Sequence, residues 1–250
     1  MNNPRASILI PTRDAARHLR ACLAAVTALR PPYPLEIIVV DNGSSDGSDA
    51  VAAEFAGVRL VAADRKKGSY YARNVGIAAA RGEHLFFADA DVLAPPSWLP
   101  ERLEAKVYGG GVRLVSSNAF LEAFFRAGGH RSTVTGGRLF GCNMGYHRSV
   151  FDEFGPFREV ESGEDHRFSM EVLKRHALSP LPEVSHWIDA PLEYLGKMYK
   201  YGKGTPCAYP AARAPRKLAE LAAMSSSSAA LRVLAEAAYL IGYAVGPGGR

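Results

Sequence analysis

The sequence predicts an α/β fold built on a mainly parallel sheet. Short apolar runs recur at Ala6–Ile10, Leu35–Val40 and Val58–Val61. Between them lie segments whose apolar residues return with helical spacing, and each run ends in a polar loop. Strand, helix and strand in alternation require crossovers that leave the strands parallel. Open sheets of this kind bind ligands beyond the carboxyl ends of their strands, so the loops there are where chemistry is sought.

Ala6-Ser7-Ile8-Leu9-Ile10 reads as a strand that stops at Pro11-Thr12-Arg13-Asp14. In the next segment Leu19, Cys22, Leu23, Val26 and Leu29 share one helical face. Thr12 or Asp14 is expected to cap that helix, and Pro31-Pro32-Tyr33-Pro34 to end it. The run Leu35–Val40, rich in β-branched residues, is a second strand leading into the polar turn Asp41-Asn42-Gly43-Ser44-Ser45-Asp46-Gly47. A helix with Val51 and Phe55 inward precedes the third strand. The first strand is not followed by Gly-x-Gly-x-x-Gly, which argues against a dinucleotide-binding dehydrogenase. The Ala-rich stretch after Gly68 favours a helix that carries Arg73 and closes at Gly82. Arg73 reads either as an exposed helix cation or as a contact for phosphate or carboxylate, which its planar fork suits.

The next stretch is Glu83-His84-Leu85-Phe86-Phe87-Ala88-Asp89-Ala90-Asp91. Leu85–Ala88 is a buried strand ending in two carboxylates. In an extended chain Asp89 and Asp91 would point to the same side. They could hold a hard divalent cation and the polar end of a ligand. The same residues also read as an Asp-rich turn before Pro95-Pro96.

The second half is less regular. Val112–Ser117 reads as a strand, and Gly128-Gly129 and Gly136-Gly137 mark loops. Glu164-Asp165 stands before Phe168, Val172 and Leu173, so these acids sit at a helix start, where the helix dipole favours them. A helix start is also a rigid mount for a reacting acid. His186 closes the short strand Pro182–Trp187, as a structural imidazole or as a metal ligand. Leu192, Leu195, Met198 and Tyr199 form a helical stripe accompanied by Lys197, Lys200 and Lys203. A last segment, Ala229–Val245, is too short and too charged for a membrane span. It reads as a helix docked on the protein body, a dimer contact or a membrane-surface element.

The composition is that of an ordinary globular protein, 48% hydrophobic and 22% charged, in a chain of 250 residues. A net charge of +5 and a pI near 9.1 suit a phosphate-bearing ligand or an anionic membrane surface. Three cysteines without metal spacing argue for a reducing compartment and against a disulfide framework. With neither a signal peptide nor a membrane span legible, the expected location is the cytoplasm or the inner face of the membrane. The Ala-, Gly- and Arg-rich usage fits a GC-rich bacterial genome.

Four segments together carry a family resemblance. Ile10-Pro11-Thr12-Arg13, Val39-Val40-Asp41-Asn42-Gly43-Ser44-Ser45-Asp46, Ala72-Arg73-Asn74-Val75-Gly76-Ile77 and Ala88-Asp89-Ala90-Asp91 stand in the order and spacing of family 2 glycosyltransferases. The resemblance is strong over roughly the first 100 residues. It implies the GT-A fold, a Rossmann-like, mixed but mainly parallel sheet flanked by helices, and inverting sugar transfer from a nucleotide sugar. It assigns donor binding to Pro11, Thr12, Arg13, Asp41, Arg73, Asp89, Ala90, Asp91 and Glu164. Thr12 and Asp41 would meet base and ribose, Arg73 the nucleotide and its diphosphate, and Asp89 the ribose or a metal-bound water. Asp91 and His186 would ligate Mg2+ or Mn2+, hard ions that suit a site shared with phosphates. Gly141-Cys142-Asn143-Met144-Gly145-Tyr146 resembles the family's acceptor-side strand. Phe154-Gly155-Pro156-Phe157 and Ser162-Gly163-Glu164-Asp165 resemble its Gly-Phe turn and Glu-Asp motif, which makes Asp165 the catalytic base.

The chain departs from the processive synthases of the family in lacking Gln-x-x-Arg-Trp, so one sugar per event is expected. The expected organisation is one catalytic domain over 1–224, with 1–100 serving the nucleotide sugar and 101–224 the acceptor, and a helix and tail over 225–250. The expected partners are a UDP-type donor sugar and an acceptor hydroxyl, with peripheral membrane contact and a homodimer as further options and no nucleic acid. The alternative is a catalytically silent subunit that binds nucleotide sugars. Nucleotidyl transfer would want a Gly-rich loop after the first strand, which Pro11-Thr12-Arg13-Asp14-Ala15 does not provide.

Overall fold

The computed structural model describes residues 3–126, 131–132, 134, 137–160, 163–204 and 234. In chain order its elements are β1 (Ala6–Thr12), α1 (Ala16–Thr27), β2 (Leu35–Asp41), α2 (Ser48–Ala53), β3 (Val58–Ala62) and α3 (Ser69–Ala79). Then come β4 (His84–Phe87), β5 (Val92–Leu93), β6 (Val107–Val115), α4 (Ala119–Arg126), β7 (Arg131–Ser132) and β8 (Met144–His147). The last are α5 (Ser149–Phe154), α6 (Glu164–Val172), β9 (Leu178–Trp187) and α7 (Pro191–Gly204). They fall into two compact units, one of Met1–Arg113, Ser132–Glu159 and Asp165–His186, the other of Leu114–Arg131, Val160–Glu164 and Trp187–Arg250.

The first unit is a sheet in the order β3-β2-β1-β4-β8-β6-β9-β5. The first four strands are parallel, and β8 returns antiparallel to both β4 and β6. Successive side chains of a strand alternate between faces. Ile8, Ile10, Ile37, Val39 and Phe86 therefore pack with Leu19, Cys22, Leu23 and Val26 of α1. Leu9, Ile38, Val40, Leu85 and Phe87 face the other way, with Tyr70 and Ala72 of α3. Because both faces are covered, these strands read as unbroken apolar runs. Each fully buried aliphatic or Phe side chain is worth about 1.5–3 kcal/mol.

Three local expectations are corrected. β1 runs through Pro11 to Thr12, where a stop was expected. The β1–β4 ladder ends at Leu9 opposite Phe87, so beyond it β1 has one partner, β2, and a proline costs the sheet little. Neither Thr12 nor Asp14 caps α1, since Thr12 Oγ1 donates to the Ile10 carbonyl at 3.1 Å. The exposed amides of the helix start are met from the next loop: Ser48 Oγ accepts from Ala15 N–H at 3.0 Å and Asp46 Oδ2 from Ala16 N–H at 2.8 Å. Gly82 does not close α3, whose C-cap is Ala80. It lies against β1 instead, where a Cβ would come 2.6 Å from the Ala6 carbonyl carbon.

In the second unit Leu121, Phe124 and Phe125 of α4 pack with Ile188 and with Tyr194 and Met198 of α7. The expected α7 stripe is therefore displaced. Leu192 is 82% exposed and Tyr199 36%, and the inward residues are Tyr194, Leu195 and Met198. Tyr194 wins because its ring stands edge-on to Phe124 and Phe125, with centroids 5.8 and 5.5 Å away. The side chains of Lys200 and Lys203, the Gly128-Gly129 loop, Gly136, Ser162 and the 225–250 segment apart from Leu234 lie outside the described residues. Among those described, no helix is long and apolar enough to cross a membrane.

Candidate active site

The parallel strands deliver their loops to one edge. Thr12 and Asp41 are register partners at the ends of β1 and β2. The two loops are stitched together. Ser44 N–H lies 3.3 Å from both Asp41 carboxylate oxygens, and Ser44 Oγ accepts from Asp14 N–H at 3.0 Å. Asp14, with φ 48°, accepts in turn from Ser45 N–H at 2.8 Å. Arg13 is exposed and lies 3.7 Å from Asp14 Oδ2, while Pro11 is half-buried. Asn42 is buried and ties a third loop: its amide donates to the Ala63 and Lys66 carbonyls, and its Oδ1 accepts from Gly68 N–H at 2.9 Å. That loop starts α3, the helix that carries Arg73.

Asp89 and Asp91 do not continue β4. The chain turns, with Val92 N–H donating to the Asp89 carbonyl at 3.1 Å. The expectation of two carboxylates on one side of an extended strand is thus corrected, and the turn sends them to different partners. Asp89 Oδ1 lies 2.9 Å from Arg73 Nη2. Asp91 Oδ2 lies 2.9 Å from His186 Nε2. Arg73 is 5% exposed while Asp89 is 34% exposed, so a buried cation backs a carboxylate that solvent reaches. His186 is buried and is fixed by the β5–β9 ladder, opposite Val92. Ala90 is buried within the turn. Beneath it, Cys22 Sγ lies 3.5 Å from the Asp89 carbonyl, and burial, with Asp91 and Asp89 nearby, pushes its thiol up to about 12.

Asp165, one residue into α6, reaches the same place. Its Oδ2 accepts from Gly141 N–H at 2.7 Å and its Oδ1 from His166 N–H at 2.8 Å. A side chain at Gly141 would meet the tips of two charged side chains. A Cβ there would come 2.4 Å from Arg73 Nη2 and 3.0 Å from Asp165 Oδ2. Asp89, Arg73, Gly141 and Asp165 are therefore consecutive neighbours. Asp89, Cys142 and His186 each offer one ligand atom, all within 4.8 Å of one another. Glu164 is buried at the head of α6.

The family model for Glycosyl transferase family 2 matches residues 7–155, more than half of the chain. The chain belongs to that family. This family 2 glycosyltransferase is 29% identical over 234 residues to Glycosyltransferase AglE of Haloferax volcanii, covering 80% of this chain and 73% of AglE. It is also 29% identical over 193 residues to the undecaprenyl-phosphate 4-deoxy-4-formamido-L-arabinose transferase of Pseudomonas fluorescens, covering 68% of this chain and 57% of that one. Among solved structures, the mannosyltransferase PcManGT of Pyrobaculum calidifontis, in complex with GDP-Man and Mn2+, superposes with a TM-score of 0.63 at 19% identity. That match covers 98% of this chain and 87% of PcManGT, and identifies the fold as GT-A.

Sequence reasoning passed over several residues that frame the candidate site of this glycosyltransferase. Asn42 and Asn74 stand inside the motifs that carry the resemblance, where Asp41 and Arg73 drew attention. Asn74 binds the backbone of Phe157 twice, donating to its carbonyl at 2.8 Å and accepting from its N–H at 3.0 Å. It thereby ties the Gly-Phe turn to α3. Buried Asn143 joins three distant segments: its Oδ1 accepts from Trp98 Nε1 at 2.8 Å and its amide donates to the Gly111 and Pro182 carbonyls. Beyond their place in the family-like segments, their sequence signal is a polar residue beside an apolar run, and buried polar groups must find partners.

Proposed function

We propose that this glycosyltransferase moves one sugar, with inversion, from a nucleotide diphosphate sugar to an acceptor hydroxyl, with Asp165 as the base. The observation that carries the reading is the continuity from Asp89 through Arg73 and Gly141 to Asp165. It joins charges suited to a diphosphate to a carboxylate suited to an acceptor proton. In the proposed step the acceptor O–H proton passes to Asp165 as its oxygen bonds to the anomeric carbon. The bond from that carbon to the diphosphate breaks on the opposite face, and the nucleoside diphosphate leaves. Gly141 N–H and His166 N–H hold the carboxylate in place for this. Arg73 faces the leaving group, and preorganised charge of this kind lowers the barrier of many transfer reactions more than any other single effect.

Thr12 and Asp41 take the base and ribose in this reading, with Pro11 and Arg13 beside them and Glu164 on the donor side. A carboxylate accepts from uracil N3–H, which favours a UDP sugar, but it accepts equally well from guanine N–H groups. Donor screening therefore pairs UDP- with GDP-sugars. The donor set of Asp91 and His186, with Asp89 alongside, fits a divalent cation, and an imidazole among carboxylates leans toward Mn2+ over Mg2+. When bound, the cation would offset charge on the leaving diphosphate. Residues after about 100 would receive the acceptor, and the net positive charge suits a membrane-borne one. The relative from Pseudomonas fluorescens is named for an undecaprenyl-phosphate substrate, which motivates lipid-linked acceptors in the screen.

The test is donor hydrolysis and transfer with Mn2+ across UDP- and GDP-sugars. Slow hydrolysis of one donor, lost on chelation, supports the reading. Donor binding with neither hydrolysis nor transfer under any acceptor would favour the silent-subunit alternative.

A further inference from the structure

Cys142 has no task in sugar transfer as described, yet its thiol lies among the cation ligands. β4 and β8 pair antiparallel with Phe87 opposite Met144, and Asp89 and Cys142 stand in the segments that leave β4 and enter β8. The ligand atoms of Asp89, Cys142 and His186 lie within 4.8 Å of one another. Asp91 stands 2.9 Å from the His186 imidazole, beside this trio and not part of it. One oxygen, one nitrogen and one sulfur make a set that magnesium does not exploit, because hard cations gain little from sulfur. Zinc and its softer neighbours bind such mixed sets in four-coordinate geometry.

We propose that Cys142 makes this a mixed oxygen, nitrogen and sulfur site for a thiophilic divalent cation of the zinc class, which competes with the harder donor cation. Binding displaces the thiol proton to solvent and forms a metal–sulfur bond, with no change of oxidation state. The inference takes from the proposed function only that Asp89, Asp91 and His186 border a cation site. It does not require sugar transfer.

The experiment titrates the full chain with Co2+, a spectroscopic stand-in for zinc, and measures Zn2+ affinity by competition with a chromogenic chelator. A thiolate-to-cobalt charge-transfer band in the near ultraviolet is expected. Cys142→Ser should abolish it, while Cys22→Ser and Cys207→Ser retain it. Cys142→Ser should also weaken Zn2+ by more than about tenfold, since even loss of an outer-shell partner costs about 10–100-fold, and leave Mg2+ binding little changed. Cobalt bound by wild type without the sulfur band overturns this inference and spares the cation role of the carboxylates. Failure of wild type to bind cobalt overturns both. A band that persists in Cys142→Ser overturns the assignment to Cys142. If Cys142→Ser folds poorly, a band kept by both Cys22→Ser and Cys207→Ser makes the assignment, since Cys142 is the one thiol the two share, and loss of the band in either overturns it.

Discussion

Two buried histidines, His84 at the start of β4 and His186 of β9 facing the turn that follows β4, are built in on opposite principles. At the amino end His84 is 4% exposed and sits edge-on to Tyr108 and His147, with ring centroids 5.8 and 4.9 Å away. Its Nδ1 makes no hydrogen bond. Burial first, then neighbouring His147, lowers its pKa from 6.5 to about 4, so it is a neutral packing residue. At the carboxyl end His186 faces Asp91, Arg73 faces Asp89, and both carboxylates remain open to solvent. One end keeps its imidazole uncharged and the other concentrates charge within reach of a ligand. A buried histidine is therefore uninformative by itself, and the charge of its neighbours separates scaffold from site.

The largest expected effect tests the charged end. Asp165→Asn should cut transfer by about 10²–10⁴-fold, the usual worth of general base catalysis, with nucleotide affinity by calorimetry unchanged. Normal transfer by that variant would remove Asp165 from the reaction. At the neutral end the effect is on stability. The folded pKa of His84 lies below its unfolded value, so the stabilisation is whole above pH 6.5 and drains away as the pH falls toward 4. Wild type should lose up to about 3 kcal/mol across that window. His84→Phe should lack that part of the loss in denaturant melts, and parallel pH profiles for the two proteins would break the contrast.

Gly141→Ala comes next. The added methyl must push Arg73 from Asp165, and a misplacement near 1 Å costs about 100-fold in rate. Circular dichroism should report an intact fold. Wild-type turnover would mean the charged end adapts as freely as a surface. The smallest effect is that of Asp91→Asn, expected to weaken nucleotide binding about 10–100-fold with Mn2+ present and little without it. Equal affinities for wild type with and without metal would end the cation role.

Much of the parallel sheet was legible because its signals are local. Strands covered on both faces show as unbroken apolar runs, and α1 declares its buried side by periodicity. The candidate residues after β1, β2 and β4 stand at strand ends, which such folds reserve for ligands. What went unread depends on distant partners. The α1 start is satisfied from the β2 loop, Tyr194 replaces Leu192 because of α4, and Asn143 joins three segments.

By itself the sequence determined the alternation of strands and helices, the set of candidate acids, Arg73 and His186, and the family. Hydrophobic pattern and motif spacing are carried by neighbouring residues, so they survive without a structure. Only the tertiary structure decided that Asp89 and Asp91 part company in a turn, that Gly141 sets Arg73 beside Asp165, and that Cys142 stands among the ligands. Those are contacts between segments far apart in the chain, set by strand register and helix placement, and no local pattern encodes them.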